Sequence, residues 1–212
     1  MIKAIIFDID GVLIDSFEAN LKFFQNIFRS VGYKIPTRKD YKKAFHLTMF
    51  NTLNLFARTN DLKIQKRLHN IAVHSRGSMY PVNMIKVTKN SSRIIKQLSK
   101  KYKVALVTSR VKRGVEDYLK LSGTKKCFKT IVHHSHFNYP KPNPESLLIA
   151  ANRLKIKPQE AVYIGDSLTD IQAAKACGMK MILYPKKNFK GADFKTSKFQ
   201  DLPKLIEKLN II

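Results

Sequence analysis

From residue 86 onward the sequence alternates between short apolar runs and longer amphipathic ones, and few architectures accept that order. The apolar runs at 104–108, 130–134, 161–164 and 181–184 have the length of strands. Between and after them, 89–100, 112–121, 145–154, 168–177 and 200–209 carry helical spacing. Parallel strands need a crossover between neighbours, usually a helix, so this alternation predicts an α/β fold, a doubly wound parallel sheet with helices on both faces. Ligands of such sheets bind beyond the carboxyl ends of the strands.

One more strand candidate opens the chain. Ala4, Ile5, Ile6 and Phe7 form an apolar run that ends in Asp8 and Asp10. Residues two apart on a strand point the same way, so the two carboxylates emerge together. They repel unless a cation lies between them or one keeps a proton. Gly11 lets the backbone turn sharply away. Read locally, the same residues fit an ordinary strand and an Asp-Gly hairpin turn. The other strand ends argue for more. Thr108 and Ser109 follow the second strand, Asp166 and Asp170 follow the run at 161–164, and Lys141 sits in a Lys-Pro-Asn-Pro-Glu turn before the helix at 145. Singly, Thr108 is a strand-end hydroxyl, Lys141 a solvated lysine, and the two aspartates are acids favoured by a helix dipole. Together they would face one crevice.

Residues 16–80 have a different character. Phe17, Leu21, Phe24, Phe28 and Val31 make one helical stripe that Gly32 can stop, and Ser16 is placed to cap its start. Thr37 and Asp40 form a candidate capping pair, and 49–57 and 62–72 also read as helices. The expected organisation is therefore an all-helical domain over 16–80 inserted into an α/β core of residues 1–15 and 81–212, with Gly77, Ser78 and Pro81 marking the return.

A chain of 212 residues holds one sizeable core, or a core with a small insert. No apolar run approaches the ~20 residues that span a bilayer, so no membrane partner is expected. Asp8 and Asp10 interrupt the only apolar stretch near the N-terminus, which argues against a signal peptide. Cys127 and Cys177 show neither metal spacing nor a disulfide framework and read as reduced, packed thiols of a cytoplasmic protein. The formal charge of +25 raises nucleic-acid binding, but lysines outnumber arginines 31 to 9 and the excess is spread along the chain. Arginine is the residue that reads phosphate and base edges bidentately. Specific nucleic-acid binding is not expected, while weak, salt-sensitive association is compatible with the charge. A positive envelope also draws small anions inward.

With these positions in place, the sequence resembles the haloacid dehalogenase-like superfamily, in the subgroup with a helical cap that includes phosphoglycolate phosphatases and β-phosphoglucomutase. Phe7-Asp-Ile-Asp-Gly-Val-Leu-Ile-Asp-Ser16 matches its first motif, Thr108 the second, Lys141 the third and Gly165-Asp-Ser-Leu-Thr-Asp170 the fourth. The resemblance implies a Rossmann-like core and phosphoryl chemistry. Asp8 would be the nucleophile and Asp10 the general acid and base. Thr108 would donate to a phosphoryl oxygen, and Lys141 would counter charge developing in transfer. Asp8, the backbone carbonyl of Asp10, and Asp166 would hold Mg²⁺, with Asp170 supporting them.

Asp10 separates this chain from dehalogenases, whose leaving halide needs no proton. Asn20, Phe45 and Met49 stand where sugar-phosphate mutases carry His, Lys and Arg, which counts against a mutase. The cap loop from Phe45 to Met49 is expected to face the crevice, with His46 and Thr48 as candidate substrate residues. Ser109 replaces a frequent Asn, and Arg110 is either a reach toward a second anionic group of the substrate or a surface arginine. The function implied is a Mg²⁺-dependent phosphatase for a small phosphorylated metabolite. Hydrolysis of nucleotides or pyrophosphate and a mutase activity are the enzymatic alternatives, and a nucleic-acid-associated protein is the rival from another class.

His133, His134 and His136 form a cluster near one strand end. Strand alternation places His134 and His136 on one side and His133 on the other. A transition-metal site needs further ligands than these, so loop histidines at the crevice edge are expected. Cys177, on an alanine-rich helix that ends at Gly178, reads as buried packing.

Overall fold

The computed structural model describes residues 1–45, 47–75 and 79–211. The chain divides into two compact units, one formed by Met1–Asp15 with Val87–Ile212 and the other by Ser16–Lys86. In the first unit a six-stranded sheet contains β1 (Ala4–Phe7), β4 (Lys103–Val107), β5 (Phe128–Val132), β6 (Ala161–Gly165), β7 (Lys180–Leu183) and β8 (Phe194–Lys195). Two further short strands, β2 (Ile14–Asp15) and β3 (Lys86–Val87), lie where the chain passes from one unit to the other. The sheet order is β5-β4-β1-β6-β7-β8, with every pairing parallel.

β1 lies inside this sheet, and all four of its residues are buried, which is why its run is continuously apolar rather than alternating. Alternation still decides which face each residue serves. Ala4 and Ile6 join a cluster with Val107, Leu147, Ala150 and Tyr163, while Phe7 stacks on Phe199 with centroids 6.0 Å apart. Full burial of a side chain such as Ile6 or Phe7 is worth about 1.5–3 kcal/mol. The register sets Phe7 beside Leu106 on one flank and Ile164 on the other, so Asp8, Thr108 and Asp166 come off the same edge of the sheet.

The helices of this unit are α5 (Ser91–Leu98), α6 (Lys112–Ser122), α7 (Glu145–Leu154), α8 (Leu168–Ala176) and α9 (Leu202–Lys208). The strand expected at 130–134 begins and ends two residues earlier, because His134–His136 form a 3₁₀ turn. That turn also overturns the expected split of the histidines. His133 and His136 lie together, ring centroids 3.9 Å apart, and the His133 backbone N–H donates to His136 Nδ1 at 3.1 Å. Cys177 is buried as expected, and Cys127 is also a free thiol.

The second unit is helical: α1 (Phe17–Ser30), α2 (Arg38–Ala44), α3 (Met49–Ala57) and α4 (Leu62–His74). Leu21, Phe24 and Phe28 of the stripe are buried. Phe17 and Phe24 pack on Tyr41 at 4.9 and 5.4 Å, and Phe24 and Phe28 meet Phe56 edge-on. Gly32, at φ +72°, ends the run, and the Tyr33 N–H reaches back to the Phe28 carbonyl at 3.0 Å. Thr37 and Asp40 form a reciprocal capping box. Ser16 occupies the first cap position without a side-chain cap bond; its Oγ accepts from Asn20 Nδ2 at 3.2 Å instead. Gly77, Ser78 and His46 lie outside the described residues.

Candidate active site

Each polar residue of the site is delivered by a strand end or by the loop just after it. Asp8 is the first residue past β1, and its N–H still donates to the Ile164 carbonyl at 2.9 Å. Its Oδ1 accepts from the Ile9 N–H at 2.8 Å. Thr108 is the equivalent residue past β4, buried, with its N–H on the Val132 carbonyl at 3.0 Å and its Oγ1 accepting from the Arg110 N–H at 3.2 Å. Asp166 follows β6, and Asp170 lies in the first turn of α8.

Lys141 draws these strand ends together. Its ammonium donates to Asp8 Oδ2 at 3.0 Å, to Asp170 Oδ1 at 2.6 Å and to the Tyr163 hydroxyl at 2.9 Å. The Tyr163 hydroxyl in turn donates to Asp170 Oδ1 at 2.9 Å. On its other side, Asp170 Oδ2 accepts from the Asp166 and Ser167 N–H groups, both at 3.0 Å, and from Ser167 Oγ at 2.6 Å. Asp170 therefore has both oxygens engaged inside the protein. It shapes the loop that carries Asp166.

Two glycines are required by this crowding. A Cβ on Gly165 would lie 2.6 Å from Asp170 Cβ and Cγ. A Cβ on Gly11, which has φ +76°, would lie 2.4 Å from Asp166 Oδ2. The Asp-Gly pair is thus no hairpin turn: it opens a tight loop beside Asp166 while β1 keeps parallel neighbours.

Burial and charge set the titration of the group. Burial raises the Asp8 carboxyl to about 7, with Lys141 opposing and Asp170, Asp10 and Asp166 adding to the rise. Burial also raises Asp166, which Asp170 reinforces and Lys187 opposes. Burial would lift Asp170 as well, but the Lys141 charge and the hydrogen bonds from Lys141, Ser167 and Tyr163 bring it below the ordinary carboxyl value. Burial alone would pull Lys141 down; Asp170 and Asp8 hold it well above its usual value, so it remains an ammonium ion.

Carboxylate oxygens of Asp8, Asp166 and Asp170 lie within 4.8 Å of one another, the one such group of metal-capable side chains among the described residues. All are hard oxygen donors on buried side chains, which suits a small divalent cation. Asp10 lies apart from that cluster in its side-chain bonding. Arg110 Nε donates to its Oδ2 at 2.6 Å and Arg110 Nη2 to its Oδ1 at 2.8 Å. Arg110 is buried, which corrects the expectation of a surface arginine: the carboxylate of Asp10 gives its guanidinium a partner inside the unit.

Ser109 is half-buried at the same strand end. Thr48 starts α3, its Oγ1 accepting from the Asn51 N–H at 3.2 Å, so its hydroxyl has a local structural task. His46, the other candidate in that loop, lies outside the described residues.

Two residues of the site escaped sequence reasoning. Tyr163 reads as one more apolar strand residue, and only the fold shows its hydroxyl beside Lys141. Lys187, whose Nζ donates to Asp166 Oδ2 at 2.6 Å, is one of 31 lysines and nothing local marks it.

The fold is that of an α/β protein whose parallel sheet gathers buried aspartates around a buried lysine at its carboxyl edge. Residues 5–184 match the haloacid dehalogenase-like hydrolase family, and the chain belongs to it. It is 29% identical, over 99% of its length and 100% of the relative, to a Clostridium perfringens protein provisionally described as the pyrophosphatase PpaX. Among solved structures it superposes on a Bacteroides fragilis protein provisionally described as a haloacid dehalogenase-like hydrolase, with a TM-score of 0.84 at 20% identity, covering 95% of this chain and 100% of that one. CbbY from Rhodobacter sphaeroides, solved with phosphate, gives a TM-score of 0.80 at 23% identity, covering 95% of this chain and 96% of that one. No described helix is long and apolar enough to cross a membrane.

Proposed function

We propose that this hydrolase is a Mg²⁺-dependent phosphatase that cleaves a small phosphomonoester through an aspartyl-phosphate on Asp8. The observation that carries the reading is the buried Lys141 ammonium held between Asp8 and Asp170, at 3.0 and 2.6 Å, beside the clustered oxygens of Asp8 and Asp166. Burial raises both the Asp8 and the Asp166 carboxyls, a cost that a cation held between their oxygens would offset. Asp8, Asp166 and the Asp10 carbonyl would hold Mg²⁺, which when bound supplies charge neutralisation at a phosphoryl oxygen.

The residues then divide the work. An Asp8 oxygen forms a bond to phosphorus as the bond to the leaving oxygen breaks, and that oxygen takes its proton from Asp10. In the second half Asp10 takes a proton from water, the water oxygen bonds to phosphorus, and Asp8 returns as a carboxylate. Lys141 stabilises the negative charge near Asp8 and the transferring group throughout. Thr108, at the neighbouring strand end, would donate to the phosphoryl group. Asp170, Ser167 and Tyr163 keep Lys141 and Asp166 in position.

The test is Asp8→Asn, assayed for phosphate release across a panel of phosphorylated metabolites. Loss of release with an unchanged circular-dichroism spectrum is expected, and sustained turnover by the variant would overturn the nucleophile assignment. Hydrolysis of pyrophosphate is a second reading, favoured by the description of the Clostridium relative. The same panel separates the two.

A further inference from the structure

Two residues with different expected tasks, Asp10 for proton transfer and Arg110 for a second anionic group of a substrate, are bound to each other. The pair is a parallel fork, with Nε to Oδ2 at 2.6 Å and Nη2 to Oδ1 at 2.8 Å. Its two halves are not equally placed. The Arg110 side chain is 7% exposed and that of Asp10 30%, so the carboxylate is the partner nearer solvent.

The main chain holds both partners, Asp10 through a bridge to Ile14. The Arg110 N–H donates to Thr108 Oγ1 at 3.2 Å and its carbonyl accepts from the His134 N–H at 3.0 Å, which ties it to the ends of β4 and β5. Asp10 sits in the loop past β1, one residue before Gly11 with its positive φ. If the pair opens, the carboxylate is the side that moves. With both oxygens on the guanidinium, the orientation of the Asp10 carboxylate is set by the fork and not by a leaving oxygen. Stripping a buried arginine of a forked carboxylate partner is costly unless another anion takes its place.

We propose that Arg110 is a specificity-determining residue: it holds Asp10 in the substrate-free enzyme and releases it when a second anionic group of the substrate takes the guanidinium. This rests on the reading of Asp10 as the acid and base. The exchange conserves charge, one anion leaving the fork as another enters, and forms no covalent bond. It selects phosphoryl compounds with a carboxylate or second phosphoryl group close to the scissile one, such as phosphorylated hydroxy acids and pyrophosphate. Simple monoesters lack the group that opens the pair.

The experiment compares kcat/KM for ethyl phosphate with that for phosphoglycolate and pyrophosphate in wild type, Arg110→Met and Arg110→Lys. Arg110→Met should lower the value for the doubly anionic substrates by roughly tenfold or more and raise it for ethyl phosphate, so that the preference collapses. Arg110→Lys keeps the charge without the fork and should fall between. Parallel losses on all substrates, or an unchanged preference, overturn the proposal. If Arg110→Met does not fold, an unchanged preference in Arg110→Lys overturns it alone. Failure of the underlying reading is separate: it would show as turnover by Asp8→Asn, or as wild type releasing phosphate from none of the three.

Discussion

Asp170→Asn changes one atom and sets five hydrogen-bond donors against a group that cannot accept from all of them. In the native site Oδ1 accepts from Lys141 and Tyr163, and Oδ2 from two backbone N–H groups and Ser167 Oγ. An asparagine amide has one oxygen. If it faces the Asp166–Ser167 backbone, the NH₂ group points at an ammonium ion; if it faces Lys141, the NH₂ group points at two N–H donors. Losing the charge-assisted bond from Lys141 costs about 1.5–3 kcal/mol, and leaving a buried donor unpaired costs about 1–3 more. The sum, roughly 2.5–6 kcal/mol, brackets the about 3–5 kcal/mol that breaking one side of a buried ion pair costs. In a chain of this size 1 kcal/mol moves the melting temperature by about 2–4 °C, so a fall of roughly 6–20 °C is expected. Because Asp170 titrates below the ordinary carboxyl value, its stabilisation is complete above that value and is lost only as pH falls through its folded value. Calorimetry near neutral pH therefore reads the whole effect. A shift under about 2 °C would refute the account of Asp170 as the saturated hub of the site.

Gly11→Ala should all but abolish activity while leaving α1 to α4 folded, since its Cβ would fall 2.4 Å from Asp166 Oδ2 in a backbone conformation with φ +76°; phosphate release beside a circular-dichroism melt checks this. Asp8, raised to about 7, binds a proton in the folded chain that the unfolded chain has already lost. Its contribution to stability therefore falls as pH rises from the ordinary carboxyl range to about 7 and then levels, and Mg²⁺ affinity should rise through the same window, read by calorimetric titration at several pH values. Lys187→Met removes the cation on Asp166 Oδ2, so calorimetry should show tighter Mg²⁺ binding; weaker or unchanged binding would refute competition at that oxygen. Chelation of divalent ions should stop phosphate release, and an unchanged rate would count against the metal.

What the sequence determined by itself was local and periodic. The continuous apolar run at Ala4–Phe7 needed burial on both faces, and alternation from residue 86 onward left a parallel sheet as the economical outcome. That topology alone sends Asp8, Thr108 and Asp166 to one edge, because parallel strands all end on the same side. The Thr37–Asp40 box was equally legible, since both partners lie within one turn. Tertiary structure decided every contact between residues distant in sequence. Lys141 meets Asp8 across 133 residues, and Arg110 meets Asp10 across 100. No spacing rule encodes such pairs, and a lysine such as Lys187 or a strand tyrosine such as Tyr163 looks ordinary until the fold brings a carboxylate to it. Strand pieces two residues long, such as β8, also lie below any periodic signal, because their conformation follows from the neighbour they pair with.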